Sequence, residues 1–141
     1  NDTFAVDLVD MNSDQMSNSG YIFNCLDIFS RKAFAMRLKT KSKPDMQRAF
    51  ERAFHFYGAK PKKIWSDKEA AIMGLSSWLS DQEIHLYHTE NSYSGVGSHS
   101  VPIVERFNRS MKEYMLNLKN DGYGGNWVQL INKTISEFIP I

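Results

Sequence analysis

The sequence predicts an α/β domain, a five-stranded mixed sheet with helices on both faces. Two observations predict it. Residues 3–38 hold three short apolar runs separated by polar turns, the mark of an antiparallel meander. After Leu38, segments with helical spacing alternate with short apolar runs, as in β/α units. The apolar content of 42% and aromatic content of 13% suit a globular chain, and 141 residues make one domain of ordinary size with a real core.

Thr3 to Val9 (TFAVDLV) reads as the first strand, with Phe4, Val6 and Leu8 on one face and Ala5, Asp7 and Val9 on the other. Asn12 to Gly20 is a polar turn. Tyr21 to Phe29 (YIFNCLDIF) is almost continuously apolar, as a strand covered on both faces requires. Ser30-Arg31-Lys32 turns the chain into a third strand, Ala33 to Leu38. Lys39 to Lys43 is a basic connector. Pro44 then opens a helix carrying Met46, Ala49, Phe50, Ala53, Phe54 and Tyr57 at helical spacing, and Gly58 stops it. Pro61 to Ser66 gives a short strand that ends directly in Asp67. A helix to about Leu79 and a fifth strand, Ile84 to Tyr87, follow. The Ser/Gly-rich run Ser92 to Ser100 is a flexible loop leading to a long helix, with Ser100 as its N-cap and Pro102 in its first turn. At about 100° per residue, Val104, Phe107, Met111, Tyr114, Met115 and Leu118 form its apolar side, and Glu105, Asn108, Arg109 and Lys112 its polar side. Beyond Gly122 to Gly125 a last helix shows Trp127, Leu130, Ile131, Ile135 and Phe138 on one face.

No apolar run approaches the roughly 20 residues of a membrane span, and no secretory signal pattern is present. The single Cys25 excludes a disulfide framework and a cysteine-based zinc site; it reads as a buried thiol in a reducing, intracellular setting. Net charge is only +1, but it is unevenly spread. Residues 1–30 carry five Asp and no Lys or Arg, whereas residues 31–63 carry eleven Lys/Arg against two acids. An acidic opening strand beside a basic middle suits a metal site that works on a polyanion.

Three acids stand in telling contexts: Asp7 within a strand, Asp67 at the end of another, and Glu105 early in the long helix. A carboxylate on a buried strand is costly unless a cation compensates it. Three carboxylates sharing one pocket make sense around Mg²⁺ or Mn²⁺, hard ions that prefer oxygen ligands. Two such ions serve phosphoryl transfer by activating the attacking oxygen and stabilising the leaving one.

Four stretches carry a family resemblance: AVDLVDM at 5–11, LDIFSRKAF at 26–34, KKIWSDKE at 62–69 and VPIVERFNRSMK at 101–112. Their order, with 37 residues between Asp67 and Glu105, resembles the catalytic core of retroviral-type DDE integrases. VDLVDM and IVERFNR are similar to the integrases of Polinton/Maverick transposons and virophages. The resemblance implies an RNase H-like fold, with Asp7, Asp67 and Glu105 as catalytic, metal-binding acids for two Mg²⁺ or Mn²⁺ ions. It implies DNA integration: 3′-end processing of element DNA and strand transfer into target DNA. It also implies DNA contacts from Asn108, Arg109, Lys112 and Lys68, and a mobile active-site loop at Ser92 to Ser100. A homodimer forming higher multimers on double-stranded DNA is implied, paired through Phe50, Phe54, Tyr57 and the Trp127 helix. Residues 1–141 would be one catalytic core with flanking domains cut away, acting in a host nucleus, virus particle or virus factory. The alternatives are an RNase H-like nuclease that never joins DNA and a non-catalytic DNA-binding or assembly module.

One departure from the family concerns Lys68-Glu69, where retroviral integrases usually carry a small or amide pair; Glu69 is placed to crowd or supplement the metal site. Asp10 has the opposite strand parity to Asp7 and is expected to face away. Asp27 precedes a turn and is expected to bond Ser30 or Arg31. His85, His88 and His99 lack metal-ligand spacing and read as surface residues, while Trp65, Trp78 and Trp127 read as core or interface.

Overall fold

The computed structural model describes residues 2–11, 20–67, 69–89, 100–122 and 127–138; the side chains of 89, 100–105, 127, 128 and 138 fall outside that description. Strand β1 (Thr3–Asp10) pairs antiparallel with β2 (Tyr21–Asp27), and β2 with β3 (Ala33–Leu38), giving the expected meander. Helix α1 (Lys43–Tyr57) carries the chain to β4 (Lys63–Asp67), which lies parallel to β1. Two short helices, α2 (Ala70–Met73) and α3 (Ser76–Ser80), lead to β5 (His85–Thr89), parallel to β4. The sheet runs β3-β2-β1-β4-β5, so the first strand is central and β4 is its neighbour. Helices α4 (Ser100–Asn120) and α5 (Trp127–Phe138) complete the chain.

The period of two along the strands builds a core on each face. Phe4, Val6, Phe23, Cys25 and Ile64 meet Met46, Phe50, Ile72 and Leu75 of α1, α2 and the α2–α3 junction. On the opposite face Val9, Met11 and Ile22 meet Met111 and Met115 of α4 and Leu130 and Ile131 of α5. Asp7 shares its parity with Val9 and therefore belongs to the α4 side.

Helix α1 has the ends its sequence specifies. Ser42 caps it by accepting from the Asp45 N–H at 3.4 Å, and Gly58, at φ 76°, closes it by donating to the carbonyls of Phe54 and His55. The pairing surface expected from this helix needs correcting. Phe50 and Phe54 are buried in the α1 core, and the Tyr57 hydroxyl lies 2.7 Å from the Lys32 carbonyl and 3.1 Å from that of Cys25. These side chains are committed inside the subunit, because an amphipathic helix turns its apolar stripe to its own sheet before it meets a partner.

The single helix expected up to Leu79 is two. Ile72, Leu75 and Leu79 keep their helical spacing and are buried, but the chain breaks at Gly74-Leu75. Glycine is a poor helix interior, and the second helix starts from Leu75 without a side-chain cap. Trp78 packs against the α1 core, and Trp65 stacks on Tyr87 across β4 and β5 at 4.7 Å between ring centres. Cys25 is buried as expected, and burial pushes its thiol well above the usual range.

Candidate active site

The register of the two central parallel strands brings two of the acids together. Thr3, Phe4 and Ala5 pair with Lys63, Ile64 and Trp65; two residues further along both strands, Asp7 comes level with Asp67. Both carboxylates then occupy the same sheet face at the carboxyl ends of neighbouring strands, where open α/β sheets form their binding crevices. An open cavity of about 520 Å³ lies there, lined by Asp7, Asp10 and Asp67 from the strands and by Asn108, Arg109 and Lys112 from α4. Asp7 is half-buried and Asp67 exposed. Arg109 and Lys112 are exposed and set two cations on the rim beside the acids.

Asn108 departs from its expected place. It lies on the buried stripe of α4 with Met111 and Met115, only 9% exposed, and not on the polar face. Its Nδ2 donates to Asp7 Oδ2, and its Oδ1 accepts from Nδ2 of Asn24, the β2 residue directly opposite Asp7 in register. The helical wheel carried the signal: Asn108 is about 20° from Met115 but about 60° from Glu105. Asn24 was hidden within an apolar run whose pattern marks a core strand. Its amide is wholly buried.

Asp10 also differs from expectation. It is exposed at the last position of β1 and lines the same cavity as Asp7. Strand parity separates two faces only along the body of a sheet; at the strand end both faces meet one rim. Glu69 stays out of the cavity lining. Its Oε2 accepts from the Ala71 N–H at 3.1 Å and caps α2, and its Oε1 pairs with Lys41 at 3.5 Å. Asp27 has the structural part foreseen for it, accepting from Ser30 Oγ at 3.0 Å and from the Phe29 N–H at 3.1 Å. His85 and His88 are exposed on β5. Glu105 lies on α4, one turn before Arg109, with its side chain outside the description. Lys68, His99 and loop residues 92–99 also lie outside the described residues, as do the side chains of Ser100 and Trp127.

Asp7 and Asp67 offer oxygen donors side by side, a set that suits Mg²⁺ or Mn²⁺ better than a metal preferring thiolate or imidazole. They form two-thirds of the expected triad; among the described residues no group of three or more His, Cys, Asp or Glu is placed to hold a metal.

Residues 1–94 match the integrase core domain (rve) family, two-thirds of the chain and both strand acids included. The chain belongs to that family. A transposon-derived protein of Caenorhabditis elegans is 25% identical to this integrase core over 118 residues, 82% of this chain and 39% of the relative. The retrovirus-related Pol polyprotein from transposon 297 of Drosophila melanogaster is 29% identical over 99 residues, 69% of this chain and 9% of the polyprotein. The integrase core thus spans well under half the length of these relatives. Among solved structures, the HTLV-2 integrase catalytic core domain in complex with magnesium has a TM-score of 0.70 at 17% identity, covering 96% of this chain and 82% of that one. A chain of the simian T-cell lymphotropic virus intasome complex has a TM-score of 0.74 at 15% identity, covering 96% and 47%. The fold is that of integrase catalytic cores, RNase H-like.

Proposed function

We propose that this integrase core is a polynucleotidyl transferase that trims the 3′ ends of an element's DNA and joins them to target DNA. The observation that carries the proposal is the levelled pair Asp7 and Asp67 in one cavity with Arg109 and Lys112. Asp7, Asp67 and Glu105 hold the metal jointly; Glu105 shares a sector of α4 with the two cations by helical spacing. When bound, two Mg²⁺ or Mn²⁺ ions supply Lewis-acid activation of the attacking and leaving oxygens. Arg109, Lys112 and Lys68 hold the phosphates of the DNA end, offsetting the repulsion between the carboxylates and a polyanion. Asn108 keeps Asp7 oriented. In processing, a water oxygen bonds to phosphorus and the 3′-oxygen of the element end is released as a hydroxyl. In joining, that hydroxyl oxygen bonds to a target phosphorus and a target 3′-oxygen leaves.

The finer assignments belong to the same reading. VDLVDM and IVERFNR favour an element of the Polinton/Maverick or virophage kind. Solved relatives described as dimeric and trimeric forms and as an intasome support a homodimer that multimerises on double-stranded DNA. Such a pair would use exposed parts of α1 and α5, since Phe50 and Phe54 are internal. Residues 1–141 act as one catalytic core whose relatives contain further sequence, working in a host nucleus or a virus particle. No helix among the described residues is long and apolar enough to cross a membrane.

The deciding experiment incubates the protein with labelled duplexes bearing the element's end sequence. Trimmed ends and joined products in Mg²⁺ or Mn²⁺, absent in EDTA and in Asp67→Asn, are expected. Trimming without joining assigns the nuclease alternative. Binding with neither reaction assigns the assembly module.

A further inference from the structure

Asn24 is out of place by every local rule. It sits in the middle of β2 with Ile22 on its own face, a position where the strand pattern calls for an aliphatic side chain, and its exposure is 0%. A carboxamide brings two donors and an acceptor into that core. Only one of these capacities is used in a way that faces the cavity: Nδ2 donates to Asn108 Oδ1. Its Oδ1 is buried with no hydrogen-bond partner among the described residues. A buried acceptor left unmade destabilises the fold, so the core gains nothing from an amide at this position beyond its one bond to Asn108.

What Asn24 supplies is direction. The carboxamide of Asn108 has two nearly equivalent orientations about its last torsion, and only one presents Nδ2 to Asp7. In the other, Oδ1 would oppose a carboxylate oxygen. The Asn24 donor reinforces the first, since it takes the Asn108 oxygen towards β2 and leaves the nitrogen to β1. The assignment of both amides follows from this chain: Asp7 accepts at its end, so donation runs Asn24 to Asn108 to Asp7. The register Asp7 opposite Asn24 holds the three groups on one sheet face beneath α4. Neither amide is displaced easily by water, since Asn24 is wholly buried in β2 and Asn108 is only 9% exposed.

We propose that Asn24 is a positioning residue of the active site: acting through Asn108, it fixes the Asp7 carboxylate in the orientation in which it takes a divalent ion. This rests on the reading of Asp7 as a metal ligand. Partners that orient a ligating group typically matter tenfold or more for metal affinity, although they never touch the metal.

The test uses Mn²⁺ alone, with binding to the 141-residue chain read from the loss of the free-ion paramagnetic resonance signal, and no DNA or turnover. Asn24→Leu keeps the shape and removes both the donor and the orphaned oxygen. It should weaken Mn²⁺ binding about tenfold, while the metal-free protein melts near the wild-type temperature, because the orphaned oxygen of Asn24 is exchanged for an undonated Oδ1 on Asn108. Asn108→Ala should weaken binding at least as much. Adding Asn24→Leu to Asn108→Ala should weaken it no further, because the route proposed, through the Asn108 amide, is then already cut. Wild-type affinity in Asn24→Leu, or effects that add in the double variant, would overturn the proposal. Asp7→Asn serves as the control on the underlying reading. If it binds Mn²⁺ like wild type, Asp7 is no ligand and both claims fall; if it loses the ion while Asn24→Leu does not, only the role of Asn24 falls. Should Asn24→Leu not fold, the wild-type carboxamide protons carry the test. Those of Asn24 and Asn108 should outlast exposed Asn amides in D₂O, and both sets should shift in Asp7→Asn. Exchange at the exposed rate rejects the chain of bonds.

Discussion

Asp7 occupies a strand position whose neighbours are apolar, and the structure sets the Asn108 amide against its carboxylate and opens a cavity beside it. Replacing Asp7 or Asp67 with Asn should abolish trimming and joining together, because residues that act as a unit fail as a unit. Folding should survive, and the melting temperature should hold or rise as carboxylate repulsion is relieved; a collapse in melting temperature would reassign these acids to structure. Tyr57 is the contrasting case, a residue whose polar atom serves the fold. Tyr57→Phe removes the hydroxyl's bonds to the Lys32 and Cys25 carbonyls, the former keeping the Asp27 N–H, and should cost about 1 kcal/mol. Calorimetry should show that as a melting temperature lower by roughly 3 °C, with activity unchanged. Single residues were unevenly legible. Asp7 stood out because an acid interrupts an apolar strand, and Asp27 because it precedes a turn. Asn24 did not, since a lone amide in YIFNCLDIF does not disturb the pattern that identifies a buried strand. Asn108 lies at the apolar border of the helical wheel, nearer Met115 than Glu105, so its side was legible there, whereas its bond to Asp7 depends on how α4 sits on β1 and β2.

Among the elements, α1 shows how far local chemistry reaches. Ser42, Pro44 and Gly58 set its ends without help from the rest of the chain. Its first turn is also where pH should act. The Thr40 hydroxyl, 2.5 Å from Asp45, and then Arg48 hold the Asp45 carboxyl below its ordinary range. A folded-state pKa below the unfolded one gives stability that is full above the unfolded value, near 4, and lost as pH falls through the folded value. Asp45→Asn should therefore lower the melting temperature at neutral pH, and by less at an acid pH below the folded value, where the carboxyl is protonated in both states. An equal difference at both pH values would locate the effect in the neutral cap bonds. Two glycines divide the same way. At Gly58 a methyl group meets nothing within 4 Å, so Gly58→Ala carries only the strain of φ 76°, on the order of 1 kcal/mol. At Gly20, φ 87°, the added carbon would fall 2.3 Å from the Leu38 carbonyl oxygen. Gly20→Ala should destabilise more than Gly58→Ala in the same denaturant titration. The elements themselves were largely legible from period and caps. The α2–α3 break was not, because Ile72, Leu75 and Leu79 keep a helical rhythm across it while the backbone departs from the helix at Leu75.

At the scale of the whole molecule, a net charge of +1 conceals a sided arrangement. The basic connector at Lys39 to Lys43 leaves β3 at Leu38, whose partner Tyr21 pairs in turn with Asp10, so it lies at the same sheet edge as the end of β1. Arg109 and Lys112 stand on the cavity rim at that edge. Sequence order alone gave the neighbouring β1 and β4 only as a possibility of the topology; the parallel register is what brings Asp7 level with Asp67. The polyanion reading makes a quantitative demand on this surface. If Arg109 and Lys112 hold phosphates of the DNA end, each contact releases a counterion on binding. Lys112→Ala should then reduce the slope of log affinity against log salt by roughly one, and Arg109→Ala by a similar amount. Solvated side chains would leave the slope alone, and their exchange for alanine would change stability by at most about 1 kcal/mol. The measurement is a fluorescence-anisotropy titration of an element-end duplex at several salt concentrations, with melting temperatures recorded in parallel. Unaltered slopes in both variants would move the DNA off the α4 rim and onto the basic connector, where Lys39→Ala and Lys43→Ala should then show the missing change.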